Sequence, residues 1–132
     1  MTMRKLKLLD RQDGSVAVEA AFALPVLFAF FGVIAQLAMV MFVQASLDHA
    51  TGEAARYATI YPTPSESEIE AKARSSTFGG DPSAIRSVTI VRGSDDGRNY
   101  AEITMVYDYP LVSWFVEGSA FALSQSRRAY LP

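Results

Sequence analysis

The chain has 132 residues, with 12 Lys and Arg, 14 Asp and Glu, one His and no cysteine, and its formal net charge is −2. That length suits one small unit rather than several domains. The lack of thiols excludes disulfides, zinc–thiolate sites and cysteine nucleophiles, and nothing is basic enough for a nucleic-acid footprint.

Residues 1–14 form a polar, basic leader carrying Arg4, Lys5, Lys7 and Arg11 against Asp10 and Asp13. Beyond Glu19 the character changes abruptly. From Ala20 to Leu47 no side chain is charged, and from Ala20 to Val43 the only polar side chain is Gln36. As a helix, Ala20–Val43 would be about 36 Å long at 1.5 Å per residue, more than the roughly 30 Å hydrocarbon core of a bilayer. The apolar part of a cleaved secretory signal is only about 7–15 residues long. The block therefore reads as one transmembrane helix. The four N-terminal cations keep their side cytoplasmic, and the C-terminal part is expected to be exported.

The helix is expected to continue past the membrane. At 100° per residue Ala21, Pro25, Ala29, Gly32 and Gln36 share one face, and Val43, Leu47, Ala50, Ala54, Ala58 and Tyr61 continue it without a phase break. Asp48, His49, Gly52 and Arg56 fall on the opposite, solvated side. The small residues inside the membrane suit close helix packing. Pro25 is either a kink shaped for that packing or a tolerated breaker near the helix start, and Gln36 suits a bond to a neighbouring helix or backbone. Tyr61-Pro62-Thr63-Pro64 ends the helix, because proline lacks a donor and restricts the residue before it. The segment 15–61 is thus a transmembrane and amphipathic helix.

Ser65-Glu66-Ser67-Glu68 reads as a capping box opening a second helix that ends near Ser76, with Glu68/Lys72 and Glu70/Arg74 as i,i+4 pairs. Ser87–Arg92 reads as a strand, residues 93–99 as a turn-rich loop, and Tyr100–Tyr109 as the returning strand. Leu111–Glu117 is apolar and suits a short helix or a loop. Within it the pair Trp114-Phe115 is either core or a partner contact. Ala120–Tyr130 alternates as a final strand. The expected fold class is α+β: a long N-terminal transmembrane and amphipathic helix, a short helix and a small antiparallel sheet of about three strands. The exported part, residues 62–132, is near the size at which a lone core is marginal.

Three stretches carry a family pattern: Gly14-Ser15-Val16-Ala17-Val18-Glu19, Ala23-Leu24-Pro25-Val26-Leu27, and Ala50-Thr51-Gly52-Glu53-Ala54-Ala55-Arg56-Tyr57-Ala58. Over roughly residues 11–61 the chain resembles the TadE-like proteins, minor pseudopilins of the tight adherence (Tad, or Flp-pilus) secretion system, with a pilin-like fold. The last stretch departs from the pattern, with Gly52 in place of the usual first arginine and Ala54 in place of the usual glycine. The resemblance implies a single-pass protein of the bacterial inner membrane, its C-terminal domain periplasmic or extracytoplasmic. It implies processing by a prepilin peptidase between Gly14 and Ser15, and partners among the other Tad pseudopilins and the major Flp pilin. Glu19, fifth in the mature chain, would then pair with the new amine of Ser15 on the same or a neighbouring subunit. Read without the resemblance, Glu19 is a carboxylate near a helix start, where the macrodipole favours it, at headgroup level.

No enzyme chemistry, cofactor, metal or small-molecule substrate is expected. His49 suits an exposed local pair with Glu53, four residues on, and no second imidazole or thiol completes a zinc site. Asp95-Asp96-Gly97-Arg98-Asn99 lacks the spacing of a calcium loop and suits a hairpin turn. Tyr57 and Tyr61 suit either packing under the sheet or the headgroup region. The other reading of the whole chain is an uncleaved, membrane-anchored periplasmic binding or scaffold protein, in a TadF- or TadG-like role.

Overall fold

The computed structural model describes residues 12–111 and 120–132. The basic residues of the leader up to Arg11, and the pair Trp114-Phe115, lie outside the described residues. Five elements follow one another: helix α1 (Gln12–Ala58), helix α2 (Glu66–Ser75), and strands β1 (Ile85–Asp95), β2 (Arg98–Pro110) and β3 (Ala120–Tyr130), with a short 3₁₀ turn at Pro82–Ala84 before β1. The fold is α+β. The chain divides into two compact units, Met1–Ala35 and Gln36–Pro132.

In the first unit, the described residues are a single stretch of α1. Every side chain from Gly14 to Ala35 is exposed, although the stretch includes Val16, Phe22, Leu24, Phe28, Phe30 and Phe31. Apolar surface of this kind on a helix of this length fits a single-pass membrane anchor.

The second unit has the core. The strands form one antiparallel sheet in the order β1-β2-β3, so β2 is central and both of its neighbours are edges. Alternate residues of β2 (Ala101, Ile103, Met105, Tyr107 and Tyr109) are buried, as the two-residue period of a half-covered strand requires. From α1 they meet Val43, Leu47, Ala50, Ala54, Ala55 and Ala58, and from α2 Ile69 and Ala73. Alanine at four of those helix positions (Ala50, Ala54, Ala58 and Ala73), each fully buried, leaves room for the branched and aromatic side chains of β2.

The expected face of α1 is the buried one from Val43 to Ala58, joined by Ser46, Thr51 and Ala55. Ser46 and Thr51 are tolerated because both are satisfied: the Thr51 hydroxyl donates to the Leu47 carbonyl at 2.9 Å, and the Ser46 hydroxyl accepts the Phe78 N–H at 2.8 Å. Tyr61 does not continue that face. α1 stops at Ala58, its end tightened by bonds from the Thr59 N–H to the Arg56 carbonyl and from the Ile60 N–H to the Tyr57 carbonyl. Tyr61 is left 87 % exposed.

α2 starts at the capping box, with the Ser65 hydroxyl accepting the Glu68 N–H and the Glu68 carboxylate accepting the Ser65 N–H. That engagement removes Glu68 from the expected pair with Lys72, whose ammonium instead lies 3.9 Å from Glu53 of α1. Glu70 and Arg74 do pair, at 2.9 Å. The β1–β2 connection is shorter than the expected loop. The strands pair through Asp95 and Arg98, and only Asp96-Gly97 turns, both at positive φ (47° and 73°). This is the Asp-Gly pattern of a two-residue hairpin, whose backbone twist matches that of the strands.

Candidate functional site

The candidate junction lies at the start of α1. Gly14 and Ser15 sit within its first turn, and a side chain on Gly14 would meet no heavy atom within 4 Å. The first four N–H groups of a helix have no intrahelical acceptor, and glycine weakens helix locally by about 1 kcal/mol relative to alanine. Among the described residues nothing therefore crowds Gly14, and the helix is least firmly held in this first turn.

Glu19 lies one turn after Ser15, the i,i+4 spacing that puts two residues on the same helical side. It is exposed, in a shallow groove otherwise lined by apolar side chains, among them Val18, Phe22, Ala23, Val26 and Phe30. α1 already runs from Gln12, so Glu19 stands about two turns inside the helix, beyond the first turn where the macrodipole acts. A helix-start preference therefore does not account for it in the full-length chain.

Pro25, Ala29 and Gly32 are exposed along the same helix, and a side chain at Gly32 would meet no heavy atom within 4 Å. α1 passes through Pro25 without a break. The missing proline donor leaves the Ala21 carbonyl without its usual partner. Gln36 is half-buried and engaged.

Sequence reasoning missed a second cluster, which fastens β3 to α1. The Gln44 side-chain amide donates to Gln125 at 2.9 Å, Gln125 donates to the Asp48 carboxylate at 3.0 Å, and Arg127 donates to the same carboxylate oxygen at 2.6 Å. These partners are about eighty residues apart, and no local pattern joins them. The Arg127 hydrogen bond foremost, then that of Gln125, holds the Asp48 carboxyl below the usual carboxylate range. A depressed folded pKa adds stability that is full above the unfolded value and is lost as pH falls through the folded one. Acidification below about pH 4 should therefore loosen β3. Amide hydrogen exchange at Gln125 and Arg127 should speed up there in the native chain, and Asp48→Asn should weaken that pH dependence, leaving the part due to Glu102, whose carboxyl is also held low by Arg128 and Ser126 of β3.

The solvent side of the sheet is also polar. Glu102 accepts from Ser126 and Arg128, Thr104 donates to Ser126, and the Arg128 and Arg98 guanidinium groups lie 4.2 and 4.8 Å from the ring centres of Tyr100 and Tyr130. His49 does not pair with Glu53. Its ring meets Phe78 edge-on at 5.7 Å, while Glu53 takes Arg56 at 3.0 Å. Among the described residues no group of three or more His, Asp and Glu is placed to hold a metal ion.

Residues 14–56 match the family model of TadE-like proteins. The match begins at Gly14, covers Glu19 and the apolar stretch, and ends on the buried part of α1, before α2 and the sheet. No curated protein and no solved structure matches the chain.

Proposed function

We propose that the chain is a minor pseudopilin of a Tad pilus system, a structural subunit without chemistry of its own. It is held in the bacterial inner membrane by α1 with its C-terminal unit exported, and it is processed by a prepilin peptidase between Gly14 and Ser15. The observation that carries this reading is the TadE-like match that starts at Gly14, on a helix whose only carboxylate between Gly14 and Leu47 is Glu19. Cleavage there removes the basic leader and leaves the anchor intact.

Glu19 then has a defined partner. The freed Ser15 amine lies within one turn of it on the same subunit, or reaches it from a neighbour, and an ion pair offsets the cost of carrying a carboxylate into an apolar surrounding. Pro25, Ala29, Gly32 and Gln36 provide the low-relief side against which the apolar helices of other Tad pseudopilins and the major Flp pilin pack. The test is the intact mass of the membrane-extracted protein from cells that contain the peptidase. A chain beginning at Ser15 is expected. A full Met1–Pro132 chain would leave the uncleaved, membrane-anchored scaffold as the correct reading.

A further inference from the structure

The loop between α2 and the 3₁₀ turn is fixed to the part of α1 where the apolar stretch ends. The Phe78 N–H donates to the buried Ser46 hydroxyl at 2.8 Å, and the Asp81 N–H donates to the Tyr107 hydroxyl at 3.0 Å. Between these ties Gly79 adopts φ +67°, and a Cβ there would collide with the Phe42 ring. The left-handed backbone favours glycine there, and a side chain would have to displace the Phe42 ring. The Phe78 ring packs edge-on against Phe42 at 5.5 Å and against His49 at 5.7 Å. Both phenyl rings remain well exposed, Phe42 at 45 % and Phe78 at 42 %, and Thr77-Phe78-Gly79-Gly80 carries no charge.

Phe42 belongs to the apolar run, interrupted only by Gln36, that ends at Val43. α1 rises about 10 Å from Phe42 to His49, and the headgroup layer on one side of a bilayer is roughly 5–8 Å thick. A ring that touches both Phe42 and His49 therefore lies across that layer if α1 spans the membrane. From this we propose that residues 77–80 are a lipid contact of the exported unit. Phe78 extends the apolar surface of the anchor sideways into the acyl–headgroup boundary, where aromatic side chains are favoured. The occupant is phospholipid, because the exposed Phe78 ring is continuous with the surface that already faces lipid. The inference rests on reading α1 as a membrane span.

The lack of cysteine makes site-directed spin labelling direct. The full chain in phosphatidylcholine vesicles is labelled at Thr77→Cys, at Phe28→Cys in the span and at Asn99→Cys beside the hairpin turn. Collision with oxygen, which concentrates in lipid, is then compared with collision with a water-soluble nickel chelate. The oxygen-to-nickel ratio at 77 is expected to exceed that at 99 by about threefold or more, and to fall toward the value at 99 when Phe78→Ser is added. A ratio at 77 equal to that at 99, with 28 in lipid, would overturn the lipid contact alone. Protection of 77 from both reagents would also overturn it, because protein would then cover the loop. An aqueous reading at 28 would overturn the membrane span itself and this proposal with it. Should Thr77→Cys fail to fold, Ser76→Cys, at the C-cap of α2, gives the same comparison.

Discussion

Glu19→Ala is expected to leave insertion of the chain unchanged and to reduce surface pili by at least about tenfold, the equivalent of ~1.4 kcal/mol in subunit association. Insertion depends on the uncharged run after Ala20, and alanine at 19 makes the helix more apolar. Assembly on the proposed reading depends on a carboxylate meeting an amine. Removing one partner leaves the other charge uncompensated in an apolar surrounding, which costs more than the pair contributes. Counting pili and measuring membrane-bound subunit in the same cells separates the two effects. Normal piliation with Glu19→Ala would remove the pairing role while leaving the anchor role standing. Glu19→Asp should recover only part of the loss, because the shorter side chain has less reach.

Leu47→Ala should destabilise the second unit by about 2–5 kcal/mol, the usual range for emptying a buried leucine site. Leu47 is 1 % exposed and packs in the cluster that joins α1 to β2. Against a total of about 5–15 kcal/mol for a domain, this single loss is large. Leu37→Ala on the same helix supplies the control. Leu37 is 60 % exposed, and its removal should change stability by less than about 0.5 kcal/mol. Urea unfolding in detergent, followed by exchange of the β2 amides, reads both. Equal effects at 47 and 37 would mean that α1 does not complete the core of the sheet.

Legibility in the sequence followed the range of the interactions. The capping box at Ser65 and Glu68 was readable to the residue because all its atoms lie within one turn. The packing face of α1 from Val43 to Ala58 was readable because helical periodicity is local and persistent. β1 was expected to end at Arg92, since Gly93-Ser94-Asp95 looks like a turn by composition. In the structure it continues to Asp95, and the Tyr100 ring lies over Gly93, where a Cβ would fall 2.5 Å from the Tyr100 hydroxyl. The aromatic ring takes the place of the absent side chain and keeps the glycine in the strand. The Asp48–Arg127 tie was invisible, because the tertiary fold alone brings those residues together. At the junction the sequence placed the helix start at Ser15, whereas in the structure α1 begins at Gln12 and Glu19 is exposed; the pairing proposed for that carboxylate needs a second charge that appears only after cleavage.

Arg127, on the α1 side of β3, bears on crowding. Subunits held in a bilayer share a plane, so their local concentration is high, and among the described residues β3 is an edge strand of eleven residues. An uninterrupted apolar edge of that length would be a template for runaway stacking of one copy on another. Gln125 and Arg127 interrupt it, with the guanidinium held by Asp48 on the side that faces α1. The same ion pair that holds the strand to its own helix thus makes it a poor seed for aggregation.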